Sequence, residues 1–461
     1  MKPEKKSIFI ILIIISAILS NFTYAQDSKV LTLDKSVQIA LDKNPEIKIA
    51  EKELRKAEAA IGESYANILP QLNATANFQH AWEIQESTIP NFIKTMLGPQ
   101  ATPDMPDFVK ISFGLENTFT YGAQVTQPLF LGWAGIAGIQ TAQAAKKAAE
   151  QNLLLKKQDL IFNTANAFYS CLLAKELVRV QEEALAQSRA NLDVVLKKFD
   201  VGTASGFDKM RAQVEIANLQ PGLITARNNL QSALTGLRTV LGLSKDTEIQ
   251  VEGVFTYAED DFTAMALSEL QNLAAVNRPE LKALNQQKVM MERGITIARS
   301  NFLPKLYFST DYSFMAMRND LNISQNDFSK GFTSALSLQI PLFSGFRSTR
   351  QYQKAKLDYK ITIDTEKQFL DGMAAQVEIS YNKLSEAEEK YFSAKETVDL
   401  AKEALRLANL MYDEGANTQL DVLNSQLALT RANMNFVSSL YEYQVARYEL
   451  RKVTGELNTI L

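Results

Sequence analysis

The chain has 461 residues, of which 46% are hydrophobic and 22% are charged, and its formal net charge is −3. Such a small net charge gives no sign of a nucleic-acid partner, which a strongly basic surface would indicate. The single cysteine, Cys171, excludes an internal disulfide bond, and the single histidine excludes paired histidine ligands, so no cofactor or metal site is predicted.

The N-terminus has the pattern of an export signal. Three lysines in the first six residues precede an apolar run at 8–19, and Thr23, Tyr24 and Ala25 follow it. This order of charge, apolar core and small final residue predicts a secretory signal peptide over residues 1–25. The alternative, an N-terminal membrane anchor, is disfavoured because the run is shorter than the ~20 residues of a spanning helix.

Alternating apolar and polar residues predict four β-strands. In the first half the alternation covers residues 72–83 and 112–126, and in the second half it covers 305–314 and 332–340. Asn117 is the one polar residue on the apolar side of the second strand. The connection from Glu83 to Ile111 contains four prolines and is predicted to be an irregular, exposed loop.

The remaining sequence predicts helices. Residues 132–202 contain no proline and would form a rod on the order of 100 Å long. Shorter helices are predicted at about 33–68 and 207–241, where Pro221 and Gly222 predict a local bend.

Two helices in the second half have the spacing of a coiled coil, with apolar residues three and four positions apart on either side of Gly415. The alternative is a two-helix motif in an ordinary helical bundle. The predicted contact residues are Leu384, Ala387, Tyr391, Ala394, Val398, Ala401, Leu405, Ala408 and Tyr412, then Leu420, Leu423, Leu427, Thr430, Met434, Val437 and Tyr441.

The two halves repeat each other. Pro128-Leu129-Phe130-x-Gly132 recurs as Pro341-Leu342-Phe343-x-Gly345, and several further motifs recur at the same offset. The pattern predicts a first repeat at 26–245, an inter-repeat segment at 246–275 and a second repeat at 276–461. Each repeat is predicted to contain a β-hairpin (about 70–128 and 304–341) followed by a long helical hairpin (about 132–242 and 345–456).

Four strands are too few to close a transmembrane barrel, because even small barrels of this kind need about eight. Other copies of the chain must therefore satisfy the sheet edges, so a multimer is predicted.

The chain has an Asn44-Pro45-Glu46 segment, paired Pro-Leu-Phe-x-Gly junctions and paired aromatic-x-x-Gly turns. In these features it resembles TolC-type outer-membrane efflux proteins. The resemblance implies a mainly α fold with a β-barrel portion. In a homotrimer, a twelve-stranded barrel in outer-membrane lipid continues as a periplasmic α-helical barrel. It also implies partners: a periplasmic adaptor protein and an inner-membrane transporter of the RND or ABC type.

The resemblance also assigns site residues at the two helical turns. Val201, Gly202 and Thr203 fit the family's adaptor-contact element, and Gly415 and Ala416 form the less well matched second tip. Asp421 occupies the first position of an acidic ring at the periplasmic entrance. Asn424 stands where some members have a second aspartate, and Asn417 is assigned to the same entrance. The alternative role of Asp421, and of its counterpart Asp208, is to cap the following helix.

The resemblance implies an outer-membrane exit duct for a tripartite efflux pump. Three alternatives remain: the outer-membrane component of a type I protein secretion system, a structural periplasmic coiled-coil protein, and a hydrolase carried on a barrel. The coiled-coil protein would lack the four strands, whereas the hydrolase would need a compact catalytic domain that no segment is long enough to hold. The chain is not expected to be an enzyme, because no nucleophile with a base can be identified.

Overall fold

The computed structural model describes residues 29–259 and 261–457. The predicted signal peptide at 1–25 lies outside the described residues, as do the last four residues of the predicted second repeat. The described chain forms two compact units. Unit 1 contains residues 29–55, 148–285 and 364–457, and unit 2 contains Lys56–Lys147 and Gln286–Ile363.

Eight of the ten described helices fall into pairs of equal length. The two longest, α4 and α9, have 67 residues each, and the helices that follow them, α5 and α10, have 35 each. These lengths agree with an internal duplication, although the exact repeat boundaries stay a prediction. The helices are α1 (Leu33–Lys43), α2 (Pro45–Ala66), α3 (Phe92–Leu97), α4 (Ala134–Asp200), α5 (Gly206–Val240), α6 (Asp261–Ala264), α7 (Leu267–Asn277), α8 (Pro279–Ser300), α9 (Arg347–Asp413) and α10 (Gln419–Val453).

The strands form three sheets among the described residues. They are β1 (Lys29–Leu31), β2 (Gln71–His80), β3 (Glu86–Pro90), β4 (Phe108–Ser112), β5 (Asn117–Phe130), β6 (Ile249–Val251), β7 (Lys305–Arg318) and β8 (Ser329–Gln339). Strands β1 and β6 pair in parallel in unit 1. In unit 2, four antiparallel strands lie in the order β2-β5-β7-β8, which confirms one hairpin from each half of the sequence.

Asn117, the polar residue on the apolar side of its strand, is explained by its hydrogen bonds. It is buried, its Oδ1 lies 2.7 Å from Nδ1 of His80 on the paired strand, and its Nδ2 donates to the carbonyl oxygen of Asp320. A buried amide with these partners avoids the cost of an unsatisfied polar group.

The prediction of an irregular loop from Glu83 to Ile111 is wrong. This segment forms the antiparallel pair β3 and β4 with α3 between them, and the buried Asn91 caps the helix. Its Oδ1 accepts from the backbone N–H groups of Ile93 and Lys94, and its Nδ2 donates to the carbonyl oxygen of Pro106. The predicted start of the second strand at 112 is also wrong, because Gly114, with φ 121°, separates β4 from β5.

The single helix predicted at 33–68 is divided at Asn44. The side chain of Asn44 donates to the carbonyl oxygen of Val240 and accepts from the N–H of Glu46, so it links the end of α5 to the start of α2. Gly242, with φ 65°, packs so closely here that an added Cβ would lie 3.0 Å from the carbonyl oxygen of Lys43. The Asn44-Pro45-Glu46 motif therefore connects two helical elements of unit 1.

The predicted contact face is right for α9 and wrong for part of α10. Leu384, Val398 and Leu405 are buried as predicted. On α10, Leu420 and Leu427 are 46% and 44% exposed, whereas Val422 and Leu429 are buried against α9. The helix has apolar residues on more than one face, so the spacing alone did not identify the face that packs.

Two hydrophobic cores of unit 1 pack its helices against one another. One core joins β1 and β6 to α1, α4 and α5, and includes the fully buried Cys171. Another joins α7 to α9 and α10. Helix α5 runs through Pro221 without interruption, and the predicted bend stays a prediction. Within the described chain, no helix combines the length and the apolar character needed to cross a membrane.

Candidate functional site: the two helical hairpin tips

The turns between the paired helices of unit 1 have the same backbone geometry. Tip 1 (residues 198–208) joins α4 to α5, and tip 2 (residues 411–421) joins α9 to α10. Gly202 has φ 77° and donates to Phe199, while Gly415 has φ 75° and donates to Tyr412. A left-handed residue after a helix favours glycine, which explains why the repeat has glycine at both positions.

Both tips also begin the next helix with a capping box. The Oγ of Ser205 accepts from the N–H of Asp208, and the Asp208 carboxylate accepts from the N–H of Ser205. Thr418 and Asp421 repeat this exchange, and the Thr418 hydroxyl donates to Asp421 at 2.5 Å. The hydrogen bond from Thr418 is the main cause that lowers the pKa of Asp421 below its ordinary value. The predicted capping role is therefore confirmed at both aspartates.

The residues assigned to adaptor contact lie on the surface of the tips. Val201 is 73% exposed, and a Cβ added to Gly202 would meet no atom within 4 Å. Thr203 donates its hydroxyl hydrogen to the carbonyl oxygen of Lys198. On tip 2, Gly415 and Ala416 are exposed as well. These residues are accessible to a partner, and their contact role is taken up below as a proposal.

The residues assigned to the entrance follow each other closely at the start of α10. Asp421 is half-buried and Asn424, three residues later, is exposed. Asn417 lies in the turn, where its N–H donates to the carbonyl oxygen of Met411. Asn417 and Asp421 thus lie in tip 2, and Asn424 follows within the first two turns of α10.

A lysine that the sequence reasoning missed joins the two tips. The Nζ of Lys198 donates to the carbonyl oxygen of Tyr412 at 2.5 Å, lies 4.0 Å from the centre of the Tyr412 ring and 3.6 Å from Oδ1 of Asp413. Burial raises the pKa of Tyr412, and the carboxylates of Asp208 and Asp413 add to that rise. No local motif reveals this contact, because its partners are 214 positions apart in the sequence.

An exposed apolar stripe on α5 was also missed. Phe207, Met210 and Val214 are 61%, 60% and 56% exposed and follow tip 1 at a spacing of three and four residues. Their spacing places them on one face of the helix. That spacing was readable from the sequence, although only the structure shows that the face is uncovered within the chain.

Among the described residues, no group of three histidine, cysteine, aspartate or glutamate side chains is arranged to hold a metal ion. The tips present exposed apolar side chains, carboxylates and a bridging lysine.

Comparison with known proteins identifies the family. The model of the family "Outer membrane efflux protein" matches residues 36–243 and 270–456. Outer membrane protein TolC of Vibrio cholerae serotype O1 is 22% identical, with 91% of this chain and 89% of the relative covered. Alkaline protease secretion protein AprF of Pseudomonas aeruginosa is 23% identical, with 94% and 86% covered.

The fold comparison agrees. The crystal structure of the Campylobacter jejuni CmeC outer membrane channel superposes with a TM-score of 0.75 at 18% identity, covering 92% of this chain and 85% of that chain. The four-stranded sheet and the long helical hairpins are thus those of a TolC-like channel. The chain belongs to the outer membrane efflux protein family and is an outer-membrane channel protein that serves as an exit duct in efflux or secretion.

Proposed function

We propose that three copies of this chain form one channel that conducts cargo from a tripartite efflux pump across the outer membrane. The observation that carries this proposal is the open four-stranded sheet of unit 2. Among the described strands, β2 and β8 lie at its edges with one paired neighbour each. Pairing β2 of one copy with β8 of the next would satisfy both edges, and three copies would close a twelve-stranded barrel.

The partners would meet the channel at the hairpin tips. Exposed glycines allow close backbone approach, and the exposed Val201 and the apolar stripe of Phe207, Met210 and Val214 offer apolar surface that helical partners bury. We assign this surface to a periplasmic adaptor protein, which would connect the channel to an inner-membrane transporter. Tip 1 is the stronger contact, because at tip 2 the position equivalent to Val201 is the charged Glu414.

The entrance would be lined by one acidic layer. Three copies of Asp421 at a narrow mouth would concentrate negative potential and attract cations, while Asn424 would add dipoles without charge. The capping bonds of Asp421 are compatible with this role, since only Oδ2 of its carboxylate is used in them.

The experiment that tests this function combines conductance with export. The purified full chain, inserted in planar bilayers, should give discrete channel openings. A strain that lacks the gene should accumulate a fluorescent efflux substrate and recover when the chain is supplied again. A protein that gives no openings and restores no export would contradict the proposal.

The similarity to AprF favours a second candidate, the outer-membrane component of a type I protein secretion system. The discriminating measurement is cross-linking in intact cells followed by identification of the inner-membrane transporter that copurifies. An RND transporter would support drug or metal efflux, whereas an ABC transporter together with a secreted protein in the medium would support protein secretion.

A further inference from the structure

The junction between β8 and α9 has an unusual surface. Phe343 and Phe346 are 76% and 67% exposed, and Arg347, Arg350 and Lys354 follow at the start of α9. Spacings of three and four residues place the three basic side chains along one face of the helix. We call these five residues the junction patch.

The charge of this segment is one-sided. Residues 347–360 contain five basic residues and one acidic residue, in a chain whose net charge is −3. No carboxylate among the described residues forms an ion pair with Arg347, Arg350 or Lys354. In the described part of the chain, the guanidinium group of Arg350 donates to the neutral side chain of Gln353, at 2.9 Å. The basic groups therefore have their charge available for an external anionic partner.

Helix stability does not explain these residues. The first turn of a helix favours acidic side chains, because its N–H groups give that end a partial positive charge. Helices α5 and α10 follow this rule with Asp208 and Asp421, whereas α9 has no acidic residue in its first turn and has two arginines there. A charge placed against the helix dipole suggests a role outside the helix.

The backbone holds the aromatic side chain of the patch at an energetic cost. Phe346 has φ 62°, a strained conformation that bulky residues rarely adopt. Its ring meets that of Phe343 edge to face, with ring centres 5.5 Å apart. Two exposed aromatic rings are thus held together next to the arginines.

The equivalent junction in the first half provides an internal comparison. Trp133 has φ 72° and its ring packs edge to face with Phe130, so the aromatic arrangement is repeated. Residues 134–145 after it contain no charged side chain. Both junctions present aromatic rings, but only the second adds a basic surface.

We propose that the junction patch binds the headgroups of anionic phospholipids in the leaflet on the helix side of the sheet. This inference rests on the proposed function, which puts the four-stranded sheet in the membrane. Guanidinium groups match the geometry of phosphate, and aromatic rings favour the interface between headgroups and acyl chains. The opposite end of the sheet is unsuited to an anionic surface, because residues 81–116 contain five acidic and two basic residues.

Native mass spectrometry of the purified full chain in mild detergent tests the proposal. The probes are dioleoylphosphatidylglycerol and the zwitterionic dioleoylphosphatidylcholine. We expect the wild type to bind phosphatidylglycerol more tightly. Each positive charge removed should lower the affinity for phosphatidylglycerol about fivefold. The triple variant Arg347→Gln, Arg350→Gln, Lys354→Gln removes three charges, and its affinity for phosphatidylcholine should change little.

The matched control removes the same charge elsewhere on α9. Lys367, Lys395 and Lys402 are exposed, and their triple replacement by Gln should leave the preference for phosphatidylglycerol unchanged. The pair Arg347→Lys, Arg350→Lys should retain most of the preference for phosphatidylglycerol, because the charge persists, and should lose only the part that the guanidinium geometry adds. Oligomer mass and single-channel conductance, measured on the same preparations, should match the wild type in every variant.

Three results would overturn the inference. The wild type could show no preference for phosphatidylglycerol, the control variant could lose as much as the patch variant, or millimolar inorganic phosphate could displace the lipid, which would indicate a general anion site. Loss of the oligomer in the patch variant would instead make this surface an interface between copies. If the preference is absent while the wild type conducts normally, only this inference fails; absence of conductance is a failure of the proposed function.

Discussion

The observed capping role of Asp421 and its proposed role at the entrance can be separated by experiment. Its carboxylate caps α10 through Thr418, and the same carboxylate is assigned to the channel entrance. Because Thr418 lowers its pKa below the ordinary value of 3.8, the charge is retained in all but strongly acidic solution. The capping contribution is complete above that ordinary value and is lost as the pH falls through the lowered pKa of the folded chain.

The entrance role predicts a change in ion selectivity. Asp421→Asn should weaken the preference for cations in planar bilayers, because it removes the acidic layer. Asn424→Asp should strengthen both that preference and the block by trivalent cations, because it adds a second layer one turn away. Asp208→Asn is the control, since it alters the equivalent capping box at tip 1. Unchanged selectivity in both tip 2 variants would mean that Asp421 only starts the helix.

We predict that the contact of Lys198 with Tyr412 and Asp413 keeps the two tips together. Replacing it with Met removes a charged hydrogen bond to Tyr412 and the attraction to Asp413, an expected loss of about 1–2 kcal/mol. Looser tips should raise the mean single-channel conductance. The neighbouring Lys197 is exposed, so Lys197→Met is the matched control and should conduct like the wild type. Equal conductance of all three proteins would show that the contact does not restrict the entrance.

At the scale of elements, we predict that the adaptor protein docks on the turn of tip 1. Gly202→Trp should block adaptor cross-linking and export while the oligomer still assembles, because the tip is exposed and an added Cβ would meet no atom of the chain within 4 Å. A side chain at φ 77° is strained by itself, so Gly202→Asn is the control, since asparagine tolerates this conformation. Normal export by Gly202→Trp would exclude the tip as a contact surface.

Replacing the proline inside helix α5 is expected to stabilise the protein, because proline disfavours the helix that the structure shows there. Pro221 lies inside an uninterrupted helix and has no N–H to donate. Pro221→Ala should therefore raise the free energy of unfolding by about 1–3 kcal/mol, measured by thermal unfolding in detergent. Gly236→Ala in the same helix has open space and should give a gain of at most about 1 kcal/mol. A loss of stability in Pro221→Ala would indicate that a bend at this position supports packing.

The sequence identified the elements whose signals are local. The hairpin strands, the long helices and the capping aspartates each depend on residues within a few positions, and the internal duplication supplied a second copy of every signal. The pairing of β3 with β4 was missed because it joins segments across a proline-rich stretch of about 18 residues. The packed face of α10 was misassigned because Leu420 and Val422 fit two apolar stripes equally well.

The same limit explains what was missed at the candidate site. Glycine turns and capping boxes are local, so the positions of tips 1 and 2 were predictable. The contact between Lys198 and Tyr412 depends on two hairpins from different halves of the chain meeting in unit 1. The periodicity of a single sequence does not indicate which distant segments come into contact. Lys198 therefore cannot be distinguished by sequence from other polar residues near a helix end.

At the scale of the whole molecule, the open sheet predicts the number of copies. Unpaired edges at β2 and β8 are unfavourable and invite pairing with another chain. Four strands from each copy reach a closed twelve-stranded barrel with three chains, whereas two copies would give eight strands and leave little room for a channel.

The mass of the detergent-extracted protein, corrected for bound detergent by light scattering, should therefore equal three chains, and chemical cross-linking should give a ladder that ends at three. The strand edges should control this assembly. Proline substitutions placed one at a time along β8 should reduce the trimer at those positions where the backbone N–H points to the neighbouring copy, and equivalent substitutions in the connection at 319–324 should not. A stable monomer that still conducts would contradict both the stoichiometry and the edge pairing on which the channel proposal depends.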